Sequence, residues 1–186
     1  MKTSVAILAA ALALASCHTP SSAPPPAPPA PAGEFSSLTM DLGMVVGDLE
    51  KSARFYADAL GFREVPGFDV PASMGADSGL TDAGAFRVRV FILSEGPGAT
   101  RLKLMQFKSA PGARPDNAFI HSTLGLRYLT IFISDTGAAM NRLARAGVKP
   151  LAKGPCPLPE GFPKGIFLTC VKDPDGNMVE LVGPRK

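Results

Sequence analysis

The stretch from Asp48 to Gly61 has a regular pattern of apolar and polar positions. Its apolar residues recur at helical spacing and would form one face of a helix. They are Leu49, Ala53, Tyr56 and Leu60. An aspartate is a favoured N-cap residue, and a glycine tolerates the positive φ that follows a last helical turn. The pattern therefore predicts an amphipathic helix over residues 49–60.

A second stretch, from Asp135 to Gly147, has the same start, the same end and nearly the same length. Its apolar stripe consists of Ala139, Leu143 and Ala146. Each of the two predicted helices, the second over residues 136–146, follows an apolar run that is typical of a strand. These runs are residues 38–46 and 127–133. The chain therefore contains an internal repeat of a strand followed by a helix.

Three further strands follow each predicted helix. In the first module they are residues 62–66, 86–93 and 101–107, with a loop over 67–84. In the second module they are residues 148–153, with a loop over 154–165, and two strands that flank a turn of type I, Asp173-Pro174-Asp175-Gly176. Each module, 38–108 and 127–184, is thus predicted to be a βαβββ unit, and the additional residues of the first module are expected mainly in the 67–84 loop.

The N-terminus has the features of an export signal. Lys2 precedes an apolar run over residues 5–15 that is too short to span a bilayer. The following Leu14-Ala15-Ser16-Cys17 resembles the lipobox of bacterial lipoproteins, which implies cleavage before Cys17 and a lipid on its sulfur. An ordinary secretory signal is the alternative. The domain boundaries are then a signal peptide over 1–16, a lipidated linker over 17–35 and a folded domain over 36–186.

The linker is rich in proline and alanine and carries no charge between residues 19 and 33. Such a segment favours an extended polyproline helix, which would span roughly 45 Å at ~3.1 Å per residue. We therefore expect the domain to stand off a membrane surface to which Cys17 anchors it. The expected location is the periplasmic face of the cell envelope, with His18 after the Cys favouring the outer membrane.

The charge of the chain limits its expected classes of partner, and its cysteines raise the question of a disulfide. The chain has 19 Lys and Arg residues against 16 Asp and Glu, and no cluster of basic residues with interleaved aromatics. Nucleic acid is therefore not an expected partner. Cys156 and Cys170 lie on a predicted hairpin in an oxidising compartment. They could therefore form a disulfide or remain two independent thiols.

Two segments resemble the hallmark stretches of the vicinal oxygen chelate superfamily, the group of glyoxalases, bleomycin-resistance proteins and extradiol dioxygenases. The segments are VVGDLEKSARFYADALGF over 45–62 and VKDPDGNMVELVG over 171–183. The resemblance extends over residues 38–184. It implies an α+β fold in which two βαβββ modules form curved mixed sheets around a cup.

Metal-dependent members of this superfamily hold one divalent cation in the cup by four symmetric ligands. The resemblance places these positions at Asp41, Lys103, Tyr128 and Glu180, which we take as the ligand-binding cup. Only Glu180 is a usual family ligand. A protonated Lys cannot ligate, and a Tyr phenol is protonated at neutral pH. His121, in the connector between the modules, is a candidate for a supporting role behind the cup.

Three functions remain compatible with this sequence. The first is an envelope-anchored domain that binds a small polar molecule in its cup without a metal, as bleomycin-resistance proteins do by sequestration. The second is an atypical metal-dependent lyase or dioxygenase that uses Asp41, Glu180 and His121. The third is a non-catalytic structural or protein-binding lipoprotein. No catalytic residue is assigned, and the modules could pair within one chain or between the chains of a homodimer.

The residues of the cup suggest an electrostatic hypothesis. At low effective dielectric, a Lys between two carboxylates is strongly attracted to both. We expect the Lys103 ammonium to occupy the place of the family's cation and to neutralise Asp41 and Glu180. The Tyr128 hydroxyl would be a further hydrogen-bond partner.

Overall fold

Two four-stranded mixed sheets, one from each half of the chain, form the folded part of the protein. The computed structural model describes residues 33, 35–37, 39–96 and 98–186, and its folded unit runs from Ser36 to Lys186. The predicted signal peptide, Cys17 and the predicted linker up to residue 32 lie outside the described residues. Within the described part, no helix has the length and apolar character needed to cross a membrane.

The first module begins with strand β1 and the helix that follows it. Its elements are β1 (Leu42–Val45), α1 (Leu49–Arg54) with a π-helical turn (Phe55–Ala59), β2 (Arg63–Val70), α2 (Ala72–Asp77), β3 (Phe86–Ile92) and β4 (Arg101–Met105). The strand order is β1-β4-β3-β2. Strand β1 runs parallel to β4, whereas the β4-β3 and β3-β2 pairs are antiparallel.

The second module repeats this arrangement. Its elements are β5 (Tyr128–Phe132), α3 (Thr136–Arg145), β6 (Cys156–Pro157), β7 (Ile166–Lys172) and β8 (Met178–Pro184). The strand order β5-β8-β7-β6 matches that of the first sheet, again with one parallel pair, β5-β8. The predicted α+β fold with two repeated modules is confirmed.

Both helices begin and end as their sequences predict. Asp48 Oδ1 accepts a hydrogen bond from the Lys51 amide at 2.9 Å, and Asp135 Oδ1 accepts one from the Gly137 amide at 2.8 Å. These carboxylates satisfy amides that have no partner within the first helical turn. Gly61 follows the first helix at φ +84°, a conformation that a side chain would strain.

The helix of the first module differs from its counterpart by a π-helical turn. Asp48 to Gly61 contains one residue more than Asp135 to Gly147. The Leu60 amide donates to the Phe55 carbonyl at 3.2 Å, a hydrogen bond that encloses one more residue than an α-helical turn does. The π turn thus accommodates the additional residue while the buried face of the helix is kept.

One apolar core joins the two modules. Its fully buried members come from the helices and from the helix-facing sides of both sheets: Tyr56, Phe91, Leu102, Leu104, Leu143, Val171, Val179 and Leu181. Burying a side chain of this size contributes about 1.5–3 kcal/mol. The helices are also joined directly, because Arg142 donates from Nε to the Ala59 carbonyl at 3.0 Å. The modules therefore stabilise each other within one chain.

Two segments depart from the sequence prediction. Residues 67–84 are not all loop, because they contain the end of β2 and the short helix α2. The predicted strand over 148–153 is wrong, and the short edge strand β6 lies further along, opposite Phe167 and Leu168. The earlier segment keeps one sheet-like hydrogen bond, from the Leu151 amide to the Cys170 carbonyl at 2.9 Å. Pro150 and Pro155 flank it and have no amide hydrogen to extend the pairing.

Candidate functional site

The four predicted cup residues occupy equivalent positions in the two sheets. Lys103 of β4 is in register with Gly43 of β1, and Glu180 of β8 is in register with Thr130 of β5. Asp41 precedes Gly43 by two residues, as Tyr128 precedes Thr130. The neighbouring strand residues Leu102 and Leu104 are buried against the helices. Because side chains alternate along a strand, the cup residues lie on the opposite, open faces of the sheets.

Asp41 and Lys103 form an ion pair on the first sheet. Asp41 Oδ2 lies 2.7 Å from Lys103 Nζ, and the two side chains are 34% and 29% exposed. The hydrogen bond from Lys103 holds the pKa of the Asp41 carboxyl below its usual value, although partial burial opposes this effect. Lys103 Nζ also lies 5.9 Å from the centroid of the Phe68 ring, within reach of a cation–π interaction.

Glu180 is held by a hydroxyl on the second sheet. Thr130 Oγ1 donates to Glu180 Oε2 at 2.8 Å. Cys170 is in register with Glu180 on the neighbouring strand β7, and burial followed by the proximity of Glu180 raises the pKa of the Cys170 thiol. Cys156 and Cys170 are both free thiols in this structure. The Tyr128 side chain is half exposed.

The hypothesis of one lysine between two carboxylates is correct for Asp41 and wrong for Glu180. Among the described residues, Lys103 makes an ion pair with Asp41 alone, and the Tyr128 hydroxyl makes no hydrogen bond to Lys103. His121 stacks on the Phe119 ring at 5.6 Å in the connector and contributes no hydrogen bond to the described part of the site. The structure therefore shows two polar half-sites, Asp41–Lys103 and Thr130–Glu180.

The donor set does not fit the cation of the metal-dependent members. In the part of the chain that the structure describes, no three His, Cys, Asp or Glu side chains come together as a metal site. The Asp41 carboxylate is bound to an ammonium, and Glu180 accepts from a hydroxyl. A divalent cation would have to displace Lys103 from Asp41 and would gain only two carboxylate ligands from these positions.

A groove of about 630 Å³ lies between the start of β1 and the length of β5. Its walls are largely apolar and carry four hydroxyls, with these lining residues: Thr39, Met40, Leu42, Phe62, Leu93, Thr100, Leu102, Leu126, Tyr128, Leu129, Thr130, Ile131 and Phe132. Of the four predicted cup residues, only Tyr128 lines it. Thr130 was missed by the sequence argument, although extending the repeat from Asp41 and Tyr128 by two residues reaches it.

A buried polar cluster links the helix of the first module to the turn before β8 in the second. Tyr56 Oη donates to Asp173 Oδ2 at 3.0 Å, and Asp173 Oδ1 accepts from the amides of Asp175 and Asn177 at 2.9 and 2.8 Å. Burial, and next the Asp173 carboxylate, raise the pKa of the Tyr56 phenol. These bonds fix the turn before β8, which positions the strand that carries Glu180.

Comparison with known families decides the classification. A family model described as the Glyoxalase/Bleomycin resistance protein/Dioxygenase superfamily matches residues 38–181. The chain belongs to this superfamily. No curated protein matches the chain.

Solved structures of the superfamily share the fold. A glyoxalase family protein from Bacillus cereus has 19% identity and a TM-score of 0.62, with 83% of this chain and 99% of that chain covered. The trypanothione-dependent glyoxalase I of Leishmania major has 20% identity and a TM-score of 0.52, with 77% and 84% covered. A mutant glyoxalase I of Zea mays has 16% identity and a TM-score of 0.57, with 78% of this chain and 44% of that chain covered. At these identities the likeness supports the fold alone.

Proposed function

We propose that this superfamily domain binds a small polar molecule on the open faces of its sheets without a resident divalent cation. The observation that carries the proposal is the ion pair between Asp41 and Lys103 at a pair of positions where metal-dependent relatives present ligands. The ammonium supplies positive charge there. Partly buried carboxylates need such a partner, because an unpaired buried charge is costly.

The two half-sites offer complementary groups to a ligand. Lys103 has three N–H donors, of which Asp41 engages one, so the others can bind a ligand's carbonyl, carboxylate or phosphate oxygen. Glu180 can accept from a ligand hydroxyl or amine in addition to Thr130. The half-exposed Tyr128 phenol can donate or accept. A molecule with both hydrogen-bond donors and acceptors matches this set of groups.

The proposal includes attachment to the cell envelope through Cys17. It is supported by the Leu14-Ala15-Ser16-Cys17 motif and by the uncharged, proline-rich linker that follows it. A lipid on Cys17 would hold the domain at the membrane surface without spanning the bilayer. Cys17→Ser should move the protein from the membrane fraction to the soluble fraction. A wild-type protein that is already soluble would contradict the anchoring.

Metal analysis together with native mass spectrometry tests the binding proposal. We expect residues 34–186 to purify with a bound small molecule and with less than a stoichiometric amount of metal. Lys103→Met and Glu180→Gln should each reduce the fraction of protein that carries the small molecule. The control Lys153→Met, at an exposed lysine three residues before β6, should not. One tightly bound divalent cation per chain would instead favour the metal-dependent lyase or dioxygenase.

A further inference from the structure

Two thiols that the proposed function does not use lie on the open face of the second sheet. Cys156 of β6 is in register with Leu168 of β7, and Cys170 follows Leu168 by two residues. Side chains alternate along a strand, and paired residues share a face, so all three side chains lie on one face. The intervening Thr169 is buried on the helix side, as is Val171. The two cysteines are therefore diagonal neighbours on the open face.

The edge strand β6 is packed closely against β7. A Cβ at Gly154 would lie 3.3 Å from Thr169 Cγ2 and 3.4 Å from Thr169 Cα, so the segment before β6 approaches β7 as closely as a glycine allows. Burial, then the Glu180 carboxylate and then Cys156 raise the pKa of the Cys170 thiol. The two thiols are therefore near enough to influence each other electrostatically.

The spacing of diagonal neighbours suits a bridging ion better than a disulfide. Such neighbours lie roughly 7–8 Å apart, with somewhat less between their Cβ atoms. A disulfide requires Cβ atoms about 3.5–4.5 Å apart. An ion with a metal–thiolate bond of about 2.3 Å on each side joins two sulfurs that are roughly 4.6 Å apart. Two cysteine side chains that turn towards each other can provide this separation.

Both thiols are free and can be reached from solvent. Neither Cys156 nor Cys170 is in a disulfide. Cys156 is exposed and Cys170 is partly exposed. An ion can therefore reach both sulfurs without opening the apolar core, in contrast to cysteines that are packed as small apolar residues.

The set of donors selects the class of ion. Thiolates favour soft ions such as Cu(I) and Zn²⁺, and they also hold iron–sulfur clusters. Structural zinc sites and these clusters take four protein ligands. Among the described residues, no third His, Cys, Asp or Glu joins the two cysteines, and Glu180 is held by Thr130. Cu(I) is the soft ion that is stable with two thiolates in a linear arrangement.

The charges around the two sulfurs are balanced. Lys172 follows Cys170 by two residues on the same face of β7, and Glu180 is in register with Cys170 on β8. Binding of Cu(I) would form two Cu–S bonds and release the two thiol protons to solvent, with copper remaining Cu(I). The resulting dithiolate complex carries one negative charge. The Lys172 ammonium offsets the repulsion between that charge and the Glu180 carboxylate.

We propose that Cys156 and Cys170 bind one Cu(I) ion between their sulfurs on the open face of the second sheet. This site uses neither Asp41 nor Lys103, and it does not require the hydrogen bond between Thr130 and Glu180. It therefore goes beyond the proposed function and does not depend on which small molecule the half-sites bind.

Competition for Cu(I) with the chelator bathocuproine disulfonate tests the proposal. The protein is residues 34–186, which contain the whole folded unit and only these two cysteines, and it is kept reduced and free of oxygen. We expect one Cu(I) per chain. Cys156→Ser and Cys170→Ser should each weaken binding by about 100-fold or more, because losing a ligand costs at least as much as losing a group that supports one.

Met74→Leu is the control for adventitious binding by a surface sulfur. Met74 is 56% exposed on α2, and its removal should leave the affinity for Cu(I) unchanged. Circular dichroism of each variant checks the fold. Cys156 is exposed on an edge strand, so Cys156→Ser should fold normally and keeps the test decisive even if Cys170→Ser does not.

Three results would overturn the proposal. The first is a reduced wild-type protein that takes no Cu(I) from the chelator, whether or not its cysteines form a disulfide in air. The second is binding that survives Cys156→Ser with unchanged affinity, which would place the copper elsewhere. The third is one Cu(I) for every two chains in native mass spectrometry, which would mean that exposed thiols of different molecules bridge the ion. Each of these results would leave the half-sites of the proposed function untouched, so the two failures are distinguishable.

Discussion

The two modules use the same backbone positions for different side-chain chemistry. In the first, the first-strand and last-strand positions hold Asp41 and Lys103, which neutralise each other. In the second, the equivalent positions hold Tyr128 and Glu180, which have no hydrogen bond to each other in the described chain. Glu180 is instead satisfied by Thr130. The comparison shows that the carboxylates of Asp41 and Glu180 each have a partner within their own sheet.

A single neighbouring position explains part of this difference. Thr130 supplies the hydroxyl that holds Glu180, and its counterpart in the first sheet is Gly43, which has no side chain to offer. A Cβ at Gly43 would meet only the flexible end of Met105, at 3.5 Å. The first module therefore has room for a Cβ at this position, and its carboxylate is held by a lysine of the paired strand β4 instead.

The largest expected effect concerns the buried hydrogen bond between Tyr56 and Asp173, one of those that join the modules. Tyr56→Phe removes the hydrogen bond to the buried Asp173 and leaves that carboxylate with one partner fewer. We expect a loss of about 1–3 kcal/mol in the free energy of unfolding, measured by urea denaturation. Tyr128→Phe is the control, because its half-exposed phenol should contribute within about 0.5 kcal/mol. Equal effects of the two substitutions would show that Tyr56 does not link the modules through Asp173.

The second-largest effect is expected from a substitution that gives the first module the carboxylate of the second. Lys103→Glu replaces the ion pair by two neighbouring carboxylates, so we expect a loss of about 1 kcal/mol, limited because both side chains are partly exposed. Adding Gly43→Thr should restore about 0.5 kcal/mol by giving the new glutamate the hydroxyl that Glu180 has. Urea denaturation of Lys103→Glu, Gly43→Thr and the double variant measures the difference. If Gly43→Thr changes stability by the same amount with and without Lys103→Glu, the modules are not equivalent at these positions.

A smaller effect is expected for the half-site of the second module. A double-mutant cycle with Thr130→Val and Glu180→Gln should give a coupling of about 0.5–1 kcal/mol for their hydrogen bond. The cycle uses the same unfolding measurement on the wild type, both single variants and the double variant. Strictly additive effects would mean that this bond contributes nothing in solution.

The smallest effect is on the pH dependence of stability. The pKa of Asp41 is lowered in the folded chain by Lys103, so the pair stabilises the protein above the unfolded pKa of about 3.9. That contribution is lost as the pH falls through the lower, folded pKa. Asp41→Asn should therefore flatten the loss of stability below about pH 4 relative to the wild type. Identical profiles for the two proteins would contradict the ion pair.

The repeat and the helix ends could be predicted because they depend on local rules. Asp48 and Asp135 cap their helices through side chains that act within one turn. Helix α2 could not be predicted, because Ala72–Asp77 is short and carries no apolar stripe of its own. The displacement of β6 depended on prolines whose effect is set by pairing with β7.

The strand positions of the site residues could be predicted, but the contacts between their side chains could be predicted less well. The repeat located Lys103 and Glu180 on equivalent strands, but strand register decides which side chains meet, and register is set by the folded sheets. The exposure of Phe132 could not be predicted either. An apolar residue in an apolar strand indicates a core position unless the open face of the sheet is known.

The most direct test of two separately satisfied half-sites is calorimetric titration of residues 34–186 with Ni²⁺, Zn²⁺ and Mn²⁺, alongside Glu180→Gln. Glu180 is the one usual family ligand among the four predicted positions, so this variant removes the best donor a cation could have there. Our account predicts no stoichiometric binding by the wild type and no difference between the two proteins. Tight binding of one cation per chain that Glu180→Gln abolishes would contradict it.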